Sequence, residues 1–235
     1  MNGTMIPLSS GLVSSCEPTA MPASAAPSSR VRVRRLPDRA HYDAATVHAI
    51  VDAGLICTVA FQIDGAVHAI PVNHWRVGEF LYIHGAKSWR MQQAITESEA
   101  CVTIALADGL VLARSAMHHS MNYRSVVIYG RFEAITDAAA KRRSLQAFIE
   151  GLYPGRWNSL RPIDENELKA TSVLRLPLAE ASAKVRNWGA KDAPGDLHWP
   201  VWAGVLPLET TLGTPRREED SVACDVPVTR FGARA

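Results

Sequence analysis

Three stretches of the chain carry residue types from which a site could be built. The first is Tyr82-Ile83-His84-Gly85-Ala86-Lys87-Ser88-Trp89-Arg90-Met91. An apolar strand pattern ends there, Gly85 lets the backbone approach another group closely, and a helical pattern begins at Ser88. Lys87, Ser88 and Arg90 then gather at a helix start, where free N–H groups and the helix dipole already favour an anion. A point charge, a hydroxyl and a forked guanidinium together suit a phosphate dianion. The plainer reading is a capping serine beside two solvated cations. A P-loop is excluded, because the G-x-x-x-x-G-K spacing is missing.

The second stretch, Ser115-Ala116-Met117-His118-His119-Ser120-Met121-Asn122-Tyr123-Arg124-Ser125-Val126, is the densest polar run and opens a long strand. His118 and His119 invite a metal, but neighbours on a strand face opposite ways and no third ligand has a suitable spacing, so no metal site is expected. No G-x-S-x-G elbow supports a serine hydrolase. Polar groups massed at a strand entrance instead suit a ligand seat, with His118 and His119 as candidate proton donors or as hydrogen bonds that fix the loop. The third stretch runs from Ser182-Ala183-Lys184-Val185-Arg186-Asn187-Trp188 through His198-Trp199-Pro200-Val201-Trp202. So many indoles predict packing, subunit contact or ligand contact, not a free tail.

The elements that must position these residues read mostly as β. Asp43 is placed to cap a helix over Ala44–Ala53, and Asp64-Gly65 predicts a hairpin between Leu55–Ile63 and Ala66–Trp75. Phe80–His84 follows as a strand, then a helix capped by Ser88 and ending near Ser98. Asp108-Gly109 predicts a second hairpin between Cys101–Ala107 and Leu110–Ser115. Tyr123–Ile135 reads as one long strand. Asp137 caps a helix to about Leu152 with Ala140, Leu145, Phe148 and Ile149 on a buried face. Thr171–Leu178 reads as the last core strand. Hairpin-linked strands without βαβ alternation predict a mainly β fold with peripheral helices, an antiparallel barrel or sandwich.

Of the 235 residues, 25 are Lys or Arg and 23 Asp or Glu, a formal charge of +2 that argues against a broad nucleic-acid-binding field. One short basic run, Arg30–Arg39, is the exception, and it reads first as a solvated lead-in. Cys16, Cys57, Cys101 and Cys224 are scattered without C-x-x-C spacing, which predicts reduced thiols and a cytoplasmic protein. No apolar run reaches the roughly 18 residues of a membrane helix, and the start lacks the pattern of a secretory signal. The Ser/Ala/Pro-rich beginning predicts a disordered tail over 1–33, a domain over 34–210 and a flexible tail over 211–235.

Six segments in series resemble one family. They are Asp64-Gly65-Ala66-Val67-His68-Ala69-Ile70-Pro71-Val72, the Tyr82–Met91 stretch, Asp108-Gly109-Leu110-Val111-Leu112-Ala113-Arg114-Ser115, His118–Val127, Ala183-Lys184-Val185-Arg186 and Val201-Trp202-Ala203-Gly204-Val205-Leu206-Pro207. From about Arg34 to Pro207 the chain is similar to flavin-nucleotide-binding proteins of the pyridoxamine 5′-phosphate oxidase-related family, in particular the nitroimidazole-resistance-like branch. The resemblance implies an FMN-binding split β-barrel that works as a homodimer with flavin at the subunit interface. It implies that His68, Ala69, Ile70, Pro71, Val72 and Asn73 run along the isoalloxazine. Ile83, His84, Lys87, Ser88 and Arg90 would hold the ribityl phosphate. Tyr123, Arg124, Ser125 and Val126 would reach the flavin from the dimer mate, and Arg186 and Trp202 would close the site. The chain departs from the oxidase itself: its substrate-phosphate Arg/Tyr/Ser set and closing Arg-x-His are not evident, and His68 stands where that enzyme has arginine. The expectation is an FMN-dependent oxidoreductase acting on a small organic substrate, with NADH or NADPH as a possible donor and no nucleic-acid or membrane partner. The alternative is a non-catalytic split barrel that binds or senses flavin, haem or deazaflavin.

Overall fold

The structure, a computed structural model, describes residues 25–222. Its elements run β1 (Ala40–His41), α1 (Ala44–Ala53), β2 (Ile56–Ile63), β3 (Ala66–Val77), β4 (Phe80–Ala86), α2 (Arg90–Glu97), β5 (Ala100–Leu112) and β6 (Ser120–Gly130). They continue with β7 (Glu133–Ala134), α3 (Ala138–Leu152), α4 (Glu165–Ala170), β8 (Thr171–Pro177), β9 (Ala181–Arg186) and β10 (Gly204–Pro207). Every strand pairing is antiparallel, in the order β1-β9-β6-β5-β2-β3-β4-β8-β7, with β10 added to β5. This is the split-barrel class that the hairpin-rich pattern and the family resemblance predict.

Local chemistry explains the elements that the sequence predicts well. Asp43 accepts the Thr46 N–H at 2.8 Å and Asp137 accepts the Ala140 N–H at 2.7 Å, so α1 and α3 start on side-chain caps. Asp64 and Gly65 both adopt positive φ, 51° and 79°, as a tight hairpin turn between β2 and β3 requires. Inward residues of the strands, among them Val59, Leu81, Ile83, Val102, Ile128 and Leu174, meet Met91 and Ile95 of α2 and Ile50 of α1 in one core.

The pairing of β3 creates the split. This strand pairs with β2 from Ala66 to Asn73 and with β4 only from His74 to Val77. Beyond His74↔Ile83 the two strands part, and His84, Gly85 and Ala86 pair only with β8. A notch opens between the free edge of β3 and the end of β4.

Several expectations are corrected. Asp108-Gly109 is not a hairpin: β5 runs through it with a register shift between Ala107 and Gly109. This bulge moves the buried set from Ala100, Val102 and Ile104 to Gly109 and Val111, switching parity along the strand. A Cβ on Gly109 would meet Val205 Cγ1 at 3.0 Å and Leu206 O at 3.1 Å, so here the glycine serves close approach of β10. The expected Tyr123–Ile135 strand ends at Gly130, and only Glu133–Ala134 resumes, on β8. Thr171–Leu178 is not the last core strand, because β9 follows and pairs with β6. On α3 only Ser144 is fully buried, while Leu145, Phe148 and Ile149 are half-buried, since the helix lies on the outside of β3 and β4.

Ordered packing also starts before the expected boundary at residue 34. Val31 is buried, Ser28 Oγ donates to Glu180 at 2.6 Å, and Arg30 pairs with Glu99 at 2.5 Å beneath a contact with the Tyr129 ring. These partners are distant in sequence, so local composition does not reveal them. Residues 1–24 and 223–235, within the expected tails, lie outside the described residues, as do Cys16 and Cys224.

Candidate functional site

The residues expected to hold a planar ring and a phosphate line the two sides of the notch. On β3, His68, Ala69, Pro71 and Asn73 are exposed, while Ile70 and Val72 turn partly onto the core. The His68 ring stacks on Phe61 at 5.4 Å with 18° between planes. Pro71 fits this free edge because it has no N–H to offer a neighbouring strand. Asn73 Nδ2 donates to Leu55 O at 3.5 Å.

Across the notch, β4 buries Ile83 fully and half-buries His84 between Trp75, 5.7 Å away, and Phe148, 5.1 Å away. Burial lowers the His84 pKa, which holds the ring neutral at pH 7, and its buried Nδ1 has no hydrogen-bond partner. After Ala86 the chain turns, with Lys87 N donating to Ala170 O at 2.8 Å and Trp89 N to Ala86 O at 3.0 Å. The expected cap at Ser88 is corrected here: α2 begins at Arg90, Trp89 is its N-cap residue, and no side chain caps it. The cause is packing. The Trp89 indole folds back over Gly85, where a Cβ would lie 2.3 Å from Trp89 Cε3. The group that Gly85 admits is therefore this ring.

Ser88 is left free to serve a ligand. Lys87, Ser88 and Arg90 are exposed, and their side chains make no hydrogen bond or ion pair among the described residues. They border an open cleft of about 450 Å³ with Trp89, Gln92 and Thr96, in which Gln92 Oε1 is buried without a partner. Gln92 and Thr96 were not anticipated, although their spacing, Gln92 four residues beyond Ser88 and Thr96 four beyond Gln92, carries a usable signal.

The remaining expected residues are elsewhere. Tyr123, Arg124, Ser125 and Val126 lie on β6, which β5 and β2 separate from β3. Arg124 already forms a two-pronged pair with Asp108, at 2.9 and 2.8 Å. Arg186 is buried at the end of β9 and donates to Asn122 Oδ1, Trp188 O and Gly189 O. Trp202 is 60% exposed and rests against Gly204. His118 Nδ1 meets Ser115 Oγ at 2.7 Å and His119 Nδ1 meets Ser115 O at 2.9 Å, so both exposed rings fix their own loop. The chain thus brings together the β3 edge, His84 and the Lys87–Arg90 turn, and leaves the other candidates apart.

The arrangement sets a strand edge with no neighbouring strand beside two unpaired cations and a hydroxyl, a pattern suited to a ligand with a polar rim and an anionic end. Among the described residues, nucleophilic chemistry by cysteine is not supported. Burial pushes the Cys57 thiol up to about 12 and raises Cys101 as well. Among the described residues no three His, Cys, Asp or Glu side chains converge as a metal site requires, and no helix is long and apolar enough to cross a membrane.

Known proteins match this picture. A family model described as pyridoxamine 5′-phosphate oxidase matches residues 43–185, while no curated protein matches the chain in sequence. Among solved structures, the flavocytochrome Anf3 from Azotobacter vinelandii is 39% identical, with a TM-score of 0.83 over 88% of this chain and 97% of that one. The FAD and haem binding protein from Mycobacterium smegmatis is 34% identical, with a TM-score of 0.76 over 83% and 95%. A candidate 5-nitroimidazole antibiotic resistance protein from Bacteroides thetaiotaomicron shares the fold at 20% identity and a TM-score of 0.53, over 62% and 86%. With the model covering more than half of the chain and two structures matching most of it at 34% and 39% identity, this chain belongs to the pyridoxamine 5′-phosphate oxidase-related family of split-barrel proteins.

Proposed function

We propose that the chain is a flavin-nucleotide-binding redox protein that seats FMN in the β3/β4 notch. The observation that carries this reading is the notch itself, an unpaired strand edge ending at three unpaired, phosphate-suited side chains. The cleft of about 450 Å³ beside them leaves room for such a ligand. The two relatives above 30% identity, named as a flavocytochrome and as a FAD and haem binding protein, support a flavin as the ring. FMN satisfies the seat with one ring and one phosphate, and the same seat takes the FMN half of FAD.

A bound flavin supplies one- or two-electron redox chemistry; the protein supplies position and field. His68–Asn73 offer backbone groups to the ring edge, Lys87 and Arg90 supply positive charge at the phosphate, and neutral His84 adds none. In this reading Tyr123–Val126, Arg186 and Trp202 reach the flavin from a second copy in a homodimer. A small organic or nitro compound accepts the electrons there and is reduced, with NADH or NADPH as electron donor.

A second reading is a flavocytochrome, favoured by the names of the two relatives, one a flavocytochrome and the other a FAD and haem binding protein. His84, neutral and with an unoccupied buried Nδ1, is the imidazole such an iron would find once the Phe148 ring moved aside. The absorption spectrum of the purified protein, followed by anaerobic addition of NADH and NADPH, tests both. The expected result is yellow protein with stoichiometric FMN that a reduced nicotinamide bleaches; an additional Soret band establishes the second reading. Colourless protein that takes up neither FMN nor FAD overturns the proposal.

A further inference from the structure

A small cavity of about 190 Å³ lies at the opposite end of β4 from the notch, where the first turns of α1 meet the β3–β4 turn. Val47, Leu178 and Ala181, all buried, give it an apolar lining, and Ala25 and Pro27 of the segment before β1 line it too. That segment is held by the Ser28 bond to Glu180 and by Arg30, which reaches both Glu99 and Glu180. The polar side chains of the lining are Tyr42, His48 and Glu79.

These groups favour a cation. Glu79 carries the one carboxylate of the lining, and no Lys or Arg pairs with it among the described residues. Its partner is His48 Nε2, 3.2 Å away. The nearby guanidinium groups are committed elsewhere, Arg30 to Glu99 and Glu180 and Arg76 to Asp52 at 3.0 and 2.6 Å. Tyr42, whose Oη accepts the Val33 N–H at 2.8 Å, adds an aromatic ring, a surface that attracts cations. No Lys or Arg lines the cavity, so an anion would find no charge to pair with. A purely structural role accounts for the His48–Glu79 contact, which ties α1 to the β3–β4 turn. It does not account for the open, apolar-lined space that both residues border.

We propose that this cavity binds a small primary ammonium compound with a ring-sized apolar body, its charge paired with Glu79 and its hydrocarbon set against Val47, Leu178 and Ala181. The size fits, since a dry protein cavity of roughly 150 Å³ accepts benzene. The seven residues of β4, Phe80–Ala86, stand between Glu79 and Lys87, roughly 23 Å of strand. None of the lining residues belongs to the flavin seat or to the set expected from a dimer mate, so the inference does not rest on the flavin reading.

Calorimetric titration of benzylammonium into the full-length protein near neutral pH, with benzyl alcohol and benzoate as controls of similar size, tests the site. One saturable benzylammonium site per chain is expected, with a Kd of about 1 mM or tighter and a preference of roughly tenfold or more over both controls. Glu79→Gln is expected to erase that preference and keep the fold, because the Glu79 contact to Leu178 N is made by its backbone oxygen. Ala44→Phe, at an exposed cavity-lining position of α1, is expected to fill the space and abolish binding. Melting temperature and flavin uptake of both variants should match the parent, so failure of this site and failure of the flavin reading are distinguishable. No saturable binding, equal affinity for benzyl alcohol or benzoate, or an affinity that both substitutions leave unchanged overturns the proposal.

Discussion

Lys87, Ser88 and Arg90 have only water to satisfy them in their own chain, so a phosphate placed among them displaces no internal partner. Each charge-assisted contact is worth about 1.5–3 kcal/mol, and removing two weakens binding by about 10²- to 10⁴-fold. The S88A/R90A variant is therefore expected to bind FMN that much more weakly in a fluorescence titration while melting like the parent. Unchanged affinity would place the phosphate elsewhere. These three residues are legible in the sequence as a cluster of donors because type and spacing alone mark it. Their local geometry is not: the cap at Ser88 fails because Trp89 finds a glycine four residues earlier to lie on. Arg124 illustrates the same limit. Its partner Asp108 faces it only because of a bulge that no local pattern announces.

At the scale of elements, the site depends on β4 ending where β3 bends away. Trp89 fixes that ending by covering Gly85, where a Cβ would lie 2.3 and 2.7 Å from the indole carbons Cε3 and Cζ3. Gly85→Ala is expected to cost about 1–3 kcal/mol by overpacking and to weaken FMN binding by disturbing the Lys87–Arg90 turn. Trp89→Ala in the same chain removes the clash, so the double variant should lose less stability than the two single losses combined. Additive losses in denaturant melts would show that the ring is not what the turn rests on. Helix caps, the Asp64-Gly65 hairpin and the strands between them are legible because each is decided within a few residues. The Asp108-Gly109 step is misread because the same dipeptide serves a turn or a bulge, and the choice is made by β6 and β10, which arrive later in the chain. The β9 and β10 strands escape notice for the same reason: short, with no turn signal, they are strands only because β6 and β5 offer edges.

On the whole molecule the expected ring-binding residues divide between two places, the β3/β4 notch and the β6/β9 side. Three strand spacings separate β6 from β3, roughly 14 Å across the sheet, too far for one flat ring to touch both from within one protomer. In the homodimer proposed above, a two-fold pairing that sets each copy's β6 side against the other copy's notch would resolve the distance. The surface is consistent with such a pairing. Trp199 and Trp202 are 63% and 60% exposed, and Val201, Leu206 and Leu208 near them are exposed as well, an apolar run that monomers seldom leave to water. A net charge of only +2 sets little repulsion against association. Sedimentation equilibrium should therefore give twice the 25.6 kDa chain mass. Trp202→Ser with Leu206→Ser should shift the equilibrium toward monomer and lower FMN occupancy in parallel, since each site would lose the half supplied by its mate. A wild-type monomer that binds FMN at full stoichiometry would show instead that the notch alone completes the seat, and that the exposed indoles serve another partner.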